Sequence, residues 1–222
     1  MSQKSRHNFT LLPQKWNSEI TYILVKSSLR KRALKDLYVN KTILTVITFA
    51  IASSLSAFSA KAETFTFSGG CFWCTEADFE KLDGVSEVIS GFTGGTTLNP
   101  RYQPGKWGDH REAAQVIYDP EVISFEDLVR HVYSTIDYED NDGQFCDRGK
   151  SYSPAIYYKS AEERLIAKRL APITSVVPIE PESLYYPVRD EHQDFYKKRT
   201  LTYKYYRLRC GRDSRINALN GD

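Results

Sequence analysis

The stretch SFEDLVRHVYSTI, residues 124–136, is the most regular in the chain and narrows the choice of fold more than any other. Phe125, Leu128, Val129, Val132, Tyr133 and Ile136 recur at helical spacing on one face, and Ser124 is a natural N-cap. The segments around it read as strands. TFTF at 64–67 alternates apolar and polar residues, and SEVISGF (86–92), AAQVIYD (113–119) and AIYY (155–158) follow. Gly69 and Gly70 end the first strand, and a helix is expected from residue 72 to about 82. Ser160 with Glu163 forms a capping box before AEERLIAKRLA. SVVPIE (175–180) is a weak last strand, and its proline suggests a sheet edge. The order β-α-β-β-α-β, then α-β, is the split βαβ, ferredoxin-like plan: an α+β fold with helices over one face of a mixed sheet. The tail from about residue 182 is rich in Tyr and Arg, shows few regular signals, and is expected to wrap the domain as an irregular segment.

The N-terminus has a different character. Residues 42–60 carry no charge, follow a basic stretch, and end in Ala-Lys-Ala at 60–62. This pattern predicts a signal peptide cleaved after Ala62, or an uncleaved signal anchor, with the domain from residue 63 to 222 exported to the periplasm or secreted. The net charge of +2 conceals the division: nine Lys or Arg stand against Glu19 and Asp36 before residue 42, and with Lys61 removed the remainder carries −6. An acidic domain argues against a nucleic-acid binder. Any membrane contact would come through the N-terminal segment alone.

Four cysteines stand at 71, 74, 146 and 210. A structural zinc site prefers two close pairs, and only Cys71–Cys74 is close, so no metal is expected. A structural disulfide suits an exported protein, but a Cys-x-x-Cys bridge closes too small a loop to gain much from chain entropy. The third possibility is a reactive thiol. Two glycines allow a sharp turn from strand to helix, and at the helix N-terminus Cys71 would meet free amide groups that favour a thiolate and lower its pKa. Cys74 lies one turn on, roughly 5 to 6 Å away between Cβ atoms, so a bridge would need local adjustment. Phe72 and Trp73 are either core or the lining of an apolar pocket.

GGCFWCTEADFEKLDGVSEVISGFTGG (69–95), followed by NPRYQPGKWGDHREAAQVIYDPEVISFEDLV (99–129), resembles the A-type peptide methionine sulfoxide reductases. The resemblance runs on through DNDGQFCDRGKSYSPAIYY (140–158), DEHQDFYKK (190–198) and YKYYRLRCGRDSRI (203–216). It covers about residues 63–218 and implies a two-layer α/β sandwich around a mixed sheet. It also implies roles. Cys71 matches the nucleophile that attacks the sulfoxide sulfur, and Glu112 the acid that protonates the oxygen. Tyr102 and Tyr152 match the phenols that hydrogen-bond that oxygen, with Asp147 the polar residue beside them. Phe72 and Trp73 match the walls around the S-methyl group. The residue types suit the chemistry, because a sulfoxide oxygen leaves only once protonated, and a carboxyl kept neutral by a dry site can supply the proton. Three departures stand out: Asp109 between Gly108 and His110, YSP at 152–154, and a tail NALNGD without tryptophan.

The resemblance further implies reduction of methionine-S-sulfoxide, protein-bound or free; the chain is expected to act as a monomer without cofactor. Attack leaves a sulfenic acid on Cys71, a second thiol forms a disulfide, and a thioredoxin-like reductant restores the enzyme. The candidates for the second thiol are Cys210 and Cys74. Cys210 is favoured, since it sits in the tail between Arg209 and Gly211–Arg212, where cations lower its pKa. Cys146 adjoins Asp147 and is expected near the site. The competing reading is a thiol–disulfide oxidoreductase built on the Cys71–Cys74 pair, a chemistry with no use for Tyr102, Glu112 and Tyr152.

Overall fold

The computed structural model describes Lys26, Arg30, residues 61–103 and residues 107–221. The chain divides into residues 1–59 and 60–222. Of the first unit only Lys26 and Arg30 are described, both helical and exposed, so the signal or anchor expected over residues 1–62 lies almost wholly outside the described residues. Among the described residues no helix is long and apolar enough to cross a membrane.

The second unit begins with β1 (Glu63–Ser68), where Phe65 and Phe67 alternate inward and are essentially unexposed. Helix α1 (Phe72–Phe79) follows, then β2 (Val85–Thr93) and β3 (Arg111–Tyr118). Helix α2 (Phe125–Thr135) begins where the capping residues dictate: Ser124 Oγ accepts from the Asp127 amide at 3.1 Å, and the Asp127 carboxylate accepts from the Ser124 amide at 3.2 Å. A short hairpin, β4 (Gly143–Gln144) with β5 (Asp147–Arg148), and a 3₁₀ turn (Lys150–Tyr152) lead to β6 (Ala155–Tyr158). Helix α3 (Ala161–Leu170) is capped by Ser160 accepting from the Glu163 amide, while the Glu163 carboxylate accepts from Lys159 rather than closing the box on Ser160. Strands β7 (Ile179–Pro181) and β8 (Tyr186–Pro187) complete the sheet.

The sheet order is β7-β6-β1-β3-β2-β8. Its centre, β6-β1-β3-β2, is antiparallel throughout, with β3 inserted between β1 and β2 as the split βαβ plan requires. β7 lies parallel to β6 at one edge, which accommodates Pro178 and Pro181. Helix α1 packs on β2 and β3, α2 on β1, and α3 on α2 and β6. Their apolar faces meet Phe65, Phe67, Val88, Val116 and Ile156 in one core that includes Phe79, Leu128, Val129, Val132 and Ile136.

The tail departs from expectation. It wraps the domain, but as α4 (Phe195–Lys198), α5 (Thr200–Cys210) and α6 (Arg212–Asn220) rather than as irregular chain. The reason is chemical. These helices bury few aliphatic side chains, so no apolar periodicity marks them. Tyr203 and Arg212 are the residues that reach the interior. Arg212 is 1% exposed and donates to the carbonyls of Gly69 (3.2 Å) and Thr135 (2.8 Å), with its guanidinium over the Phe145 ring.

Candidate active site

The two glycines after β1 each answer a steric demand. Gly70 has φ 83°, and a Cβ there would lie 2.6 Å from the Gln144 Cβ. The chain thus turns under the β4–β5 hairpin and delivers Cys71 to the N-cap of α1, with φ −55° and ψ 119°. The Cys71 carbonyl accepts from the Cys74 and Thr75 amides at 3.0 and 3.2 Å. Being outside the helical range, Cys71 is not held at the regular i, i+3 separation, and its thiol meets that of Cys74 directly. Both are free and buried.

The expected low pKa at Cys71 does not appear. Burial pushes the Cys71 thiol well up, and its contact with Cys74 and the nearby Glu112 carboxyl act in the same direction. The helix-start amide that was to favour a thiolate is engaged elsewhere: the Phe72 N–H donates to Glu112 Oε2 at 3.0 Å. Cys74 shifts down instead, because it accepts from Cys71 and because Arg212 and Arg207 lie near. Those guanidiniums are held by Asp78, itself buried in α1, at 3.5 and 2.9 Å.

Glu112 stands on central strand β3, opposite Phe92 on β2, and is 2% exposed. Burial raises its carboxyl to about 8, against the stabilising Phe72 amide and with the help of Asp147 and Cys74. Tyr102 and Tyr152 converge on it from the loop after β2 and from the 3₁₀ turn. Both phenols are raised by burial first and then by Glu112, with Asp147 and Cys71 adding to the shift. The acid, both phenols, Asp147 and Cys71 therefore share one site.

The apolar walls differ from each other. Phe72 is wholly buried against Phe92 and Val188, and its ring lies 5.6 Å from Tyr102. Trp73 is partly exposed and stacks on Phe195 at 3.8 Å, with Tyr102 at 6.2 Å and Tyr206 edge-on at 6.0 Å. Beyond Tyr102 opens a cavity of about 370 Å³ lined by Pro100, Arg101, Val188 and Arg189. Asp109, one of the sequence departures, holds the preceding loop by accepting from both the amides and the hydroxyls of Thr96 and Thr97.

Asp147 carries the site outward. Its carboxylate accepts from the Tyr206 hydroxyl and lies 3.9 Å from Cys210 Sγ. Tyr206 also reaches the Cys71 thiol. Cys210 is joined to Cys146 in a disulfide, a pairing the sequence reading does not contain. Tyr206, Phe195 and Arg207 carry no role in that reading, and Arg212 enters it only as a cation beside Cys210, not as the buried partner of Asp78. His192 and Phe195 fall in the DEHQDFYKK block. Tyr203, Tyr206, Arg207 and Cys210 recur at helical spacing, a signal hidden because none is aliphatic. Two trios of potential metal ligands exist among the described residues: Cys146, Asp147 and Cys210, and Glu76, Glu80 and Asp194. The first has two sulfurs committed to a bond, and in the second Glu80 and Asp194 share Lys197.

A family model described as peptide methionine sulfoxide reductase matches residues 63–221. The peptide methionine sulfoxide reductase MsrA/MsrB of Vibrio cholerae is 40% identical over 181 residues, 76% of this chain but 48% of that protein, so the chain spans about half its length. MsrA 2 of Rhizobium meliloti is 41% identical over 177 residues, 76% of this chain and 88% of that one. Among solved structures, methionine sulfoxide reductase A of Corynebacterium diphtheriae matches with a TM-score of 0.58 and 29% identity, covering 65% of this chain and 78% of that chain.

Proposed function

The chain belongs to the peptide methionine sulfoxide reductase family, and from that premise we propose that it reduces methionine-S-sulfoxide, protein-bound or free, through a sulfenic acid on Cys71. Glu112 gives its proton to the sulfoxide oxygen, which Tyr102 and Tyr152 hold by hydrogen bonds. Cys71 attacks the sulfur, and its own proton leaves toward Cys74. Methionine departs and the oxygen remains on Cys71 as a sulfenic acid. Phe72 and Trp73 enclose the S-methyl group. The observation that carries this reading is the Phe72 amide bound to Glu112: one residue ties the acid to the helix start whose N-cap is the thiol.

Cys74 then attacks the sulfenic sulfur, forming a disulfide and releasing water. Of the two candidate thiols, Cys74 is favoured here over Cys210, because its thiol touches that of Cys71 whereas the Cys210 sulfur is bonded to Cys146. A thioredoxin-like dithiol supplies the electrons that restore the enzyme. The uncharged segment 42–60 and the Ala-Lys-Ala site support export of the domain.

The test uses racemic methyl p-tolyl sulfoxide with dithiothreitol and follows each enantiomer. Consumption of one enantiomer, abolished by Cys71→Ser in a folded variant, is the expected result. Consumption of neither, or turnover retained without the Cys71 thiol, overturns the reading and leaves the thiol–disulfide alternative.

A further inference from the structure

We propose that Arg111 and Ser153 are positioning residues for the reaction: together they clamp the turn that carries Tyr152 and so fix its phenol at the sulfoxide oxygen, beside Glu112. The proposal rests on the reductase reading and deepens it. The two groups that would hold and protonate that oxygen stand on unequal supports. Glu112 lies on β3, inside a six-stranded sheet, with Phe92 of β2 as its partner. Tyr152 ends a 3₁₀ turn of three residues, Lys150–Tyr152, between the β4–β5 hairpin and β6. So short a turn does not by itself hold a phenol to the precision that a hydrogen bond to a reacting atom requires.

The residue next to each group supplies the missing link. Successive side chains on a strand face opposite sides of the sheet, so Arg111 lies on the far side of β3 from Glu112, and it is 8% exposed. Its Nε donates to Ser153 Oγ at 3.0 Å and its Nη1 to the Tyr157 hydroxyl at 3.2 Å. Nη1 and Nη2 also donate to the two carboxylate oxygens of Glu180 at 2.9 and 3.1 Å. That bidentate pair sets the plane of the guanidinium and hence the aim of Nε. Ser153, 3% exposed, carries the constraint across the turn. Its hydroxyl accepts from Arg111 and donates to the Lys150 carbonyl at 2.8 Å, and its amide donates to the same carbonyl at 3.1 Å. Lys150 opens the turn and Ser153 follows it, so Tyr152 is held between two anchored ends.

The surroundings are fitted to this clamp. Pro154 restricts the residue before it to extended backbone, and Ser153 has φ −70° and ψ 143°. The sequence departure YSP at 152–154 thus has a physical account: the serine receives Arg111, and the proline sets the serine's backbone. Gly94, with φ 75°, makes room on the other side, since a Cβ there would collide with the Tyr157 hydroxyl and lie 3.1 Å from Arg111 Nη1. Neither Arg111 nor Ser153 takes part in the proposed proton or sulfur steps. They act through Tyr152.

The experiment follows methionine formed in the first turnover of reduced full-length protein, by rapid quench, over a range of N-acetyl methionine sulfoxide concentrations. Ser153→Ala should lower the limiting rate about ten- to hundredfold and leave half-saturation within about twofold of wild type, because a misplaced phenol costs more in the transition state than in the ground state. The same substitution in a Tyr152→Phe background, where no hydroxyl remains to be placed, should change the rate by less than about twofold. Arg111→Lys keeps a cation for Glu180 but loses the fork, so it should show the same pattern in both backgrounds. It carries the test if the urea midpoint shows that Ser153→Ala does not fold. A limiting rate within about twofold of wild type in a folded variant overturns the proposal. So does a loss that persists undiminished in the Tyr152→Phe background, which marks a merely structural effect. If the reductase reading itself fails, the wild type forms no methionine, which separates the two failures.

Discussion

Glu112→Gln isolates the proton in the proposed chemistry. Glutamine keeps the size of the side chain and an oxygen to accept from the Phe72 amide at 3.0 Å, so the start of α1 should stay in place. What it removes is the titrating proton. A carboxyl at about 8 is protonated in the large majority of molecules at neutral pH. At the ordinary 4.5 only about 0.3% would be, so burial enlarges the acid population by about two to three orders of magnitude, equivalent to about 3 kcal/mol. Loss of a positioned general acid costs about 10²- to 10⁴-fold, a range that contains this factor. Rapid-quench measurement of methionine formed in a single turnover at pH 7 should therefore show a fall of two orders of magnitude or more. Difference infrared spectroscopy should show a protonated carboxyl band that disappears as the pH rises through about 8, and that band should be absent from Glu112→Gln. A single-turnover rate within threefold of wild type, or a band titrating near 4.5, would refute the assignment.

Stability should also respond to pH through buried acids. Glu76, which accepts from Ser90 Oγ and the Asp194 amide, is raised to about 7 by burial, and Glu112 to about 8. Native values above the ordinary carboxyl range mean that the fold favours the protonated forms, so their contribution is fully present below about pH 4.5 and is lost as pH rises through both values. Urea midpoints should fall as pH rises from about 4.5 to about 8, and Glu76→Gln should flatten that decline below about 7; an identical pH slope in the variant counts against it. Arg212→Met takes one of three cationic partners, with Arg207 and Lys81, from the buried Asp78 and strips donors from the Gly69 and Thr135 carbonyls, so it should cost about 3 kcal/mol or more in denaturant titration. A loss under 1 kcal/mol would show that the tail is not anchored by this residue. N-terminal sequencing of periplasmic and membrane fractions should find a chain beginning at Glu63; full-length chain confined to the cytoplasm would defeat the export reading.

The sequence by itself determined the elements whose stability is local. Ser124 and Asp127 set the start of α2, the six apolar residues at helical spacing set its buried face, and alternation in TFTF set the inward phenylalanines of β1. Chain order then restricted the sheet to a split βαβ arrangement. Among the site residues, the GGCFWC block was legible because it is contiguous, and each of its residues meets a constraint within a few positions. Tyr102, Glu112, Asp147 and Tyr152 were legible only through resemblance, since nothing local distinguishes a buried catalytic acid from a solvated one.

Tertiary structure decided everything that depends on burial or on contact between distant segments. Cys71 was expected to titrate low because a helix N-terminus offers free amides. The fold gives the decisive amide to Glu112, forty residues away, and buries the thiol, so desolvation outweighs the helix field. The same burial raises Glu112, a shift no spacing could announce. The Cys146–Cys210 bond joins residues 64 apart because α5 carries Cys210 over the β4–β5 hairpin. The helices of the tail were invisible for a related reason. Hydrophobic periodicity reports faces buried by aliphatic packing, whereas this tail is fastened by ion pairs, tyrosines and one buried arginine, whose partners exist only once the rest of the domain has folded.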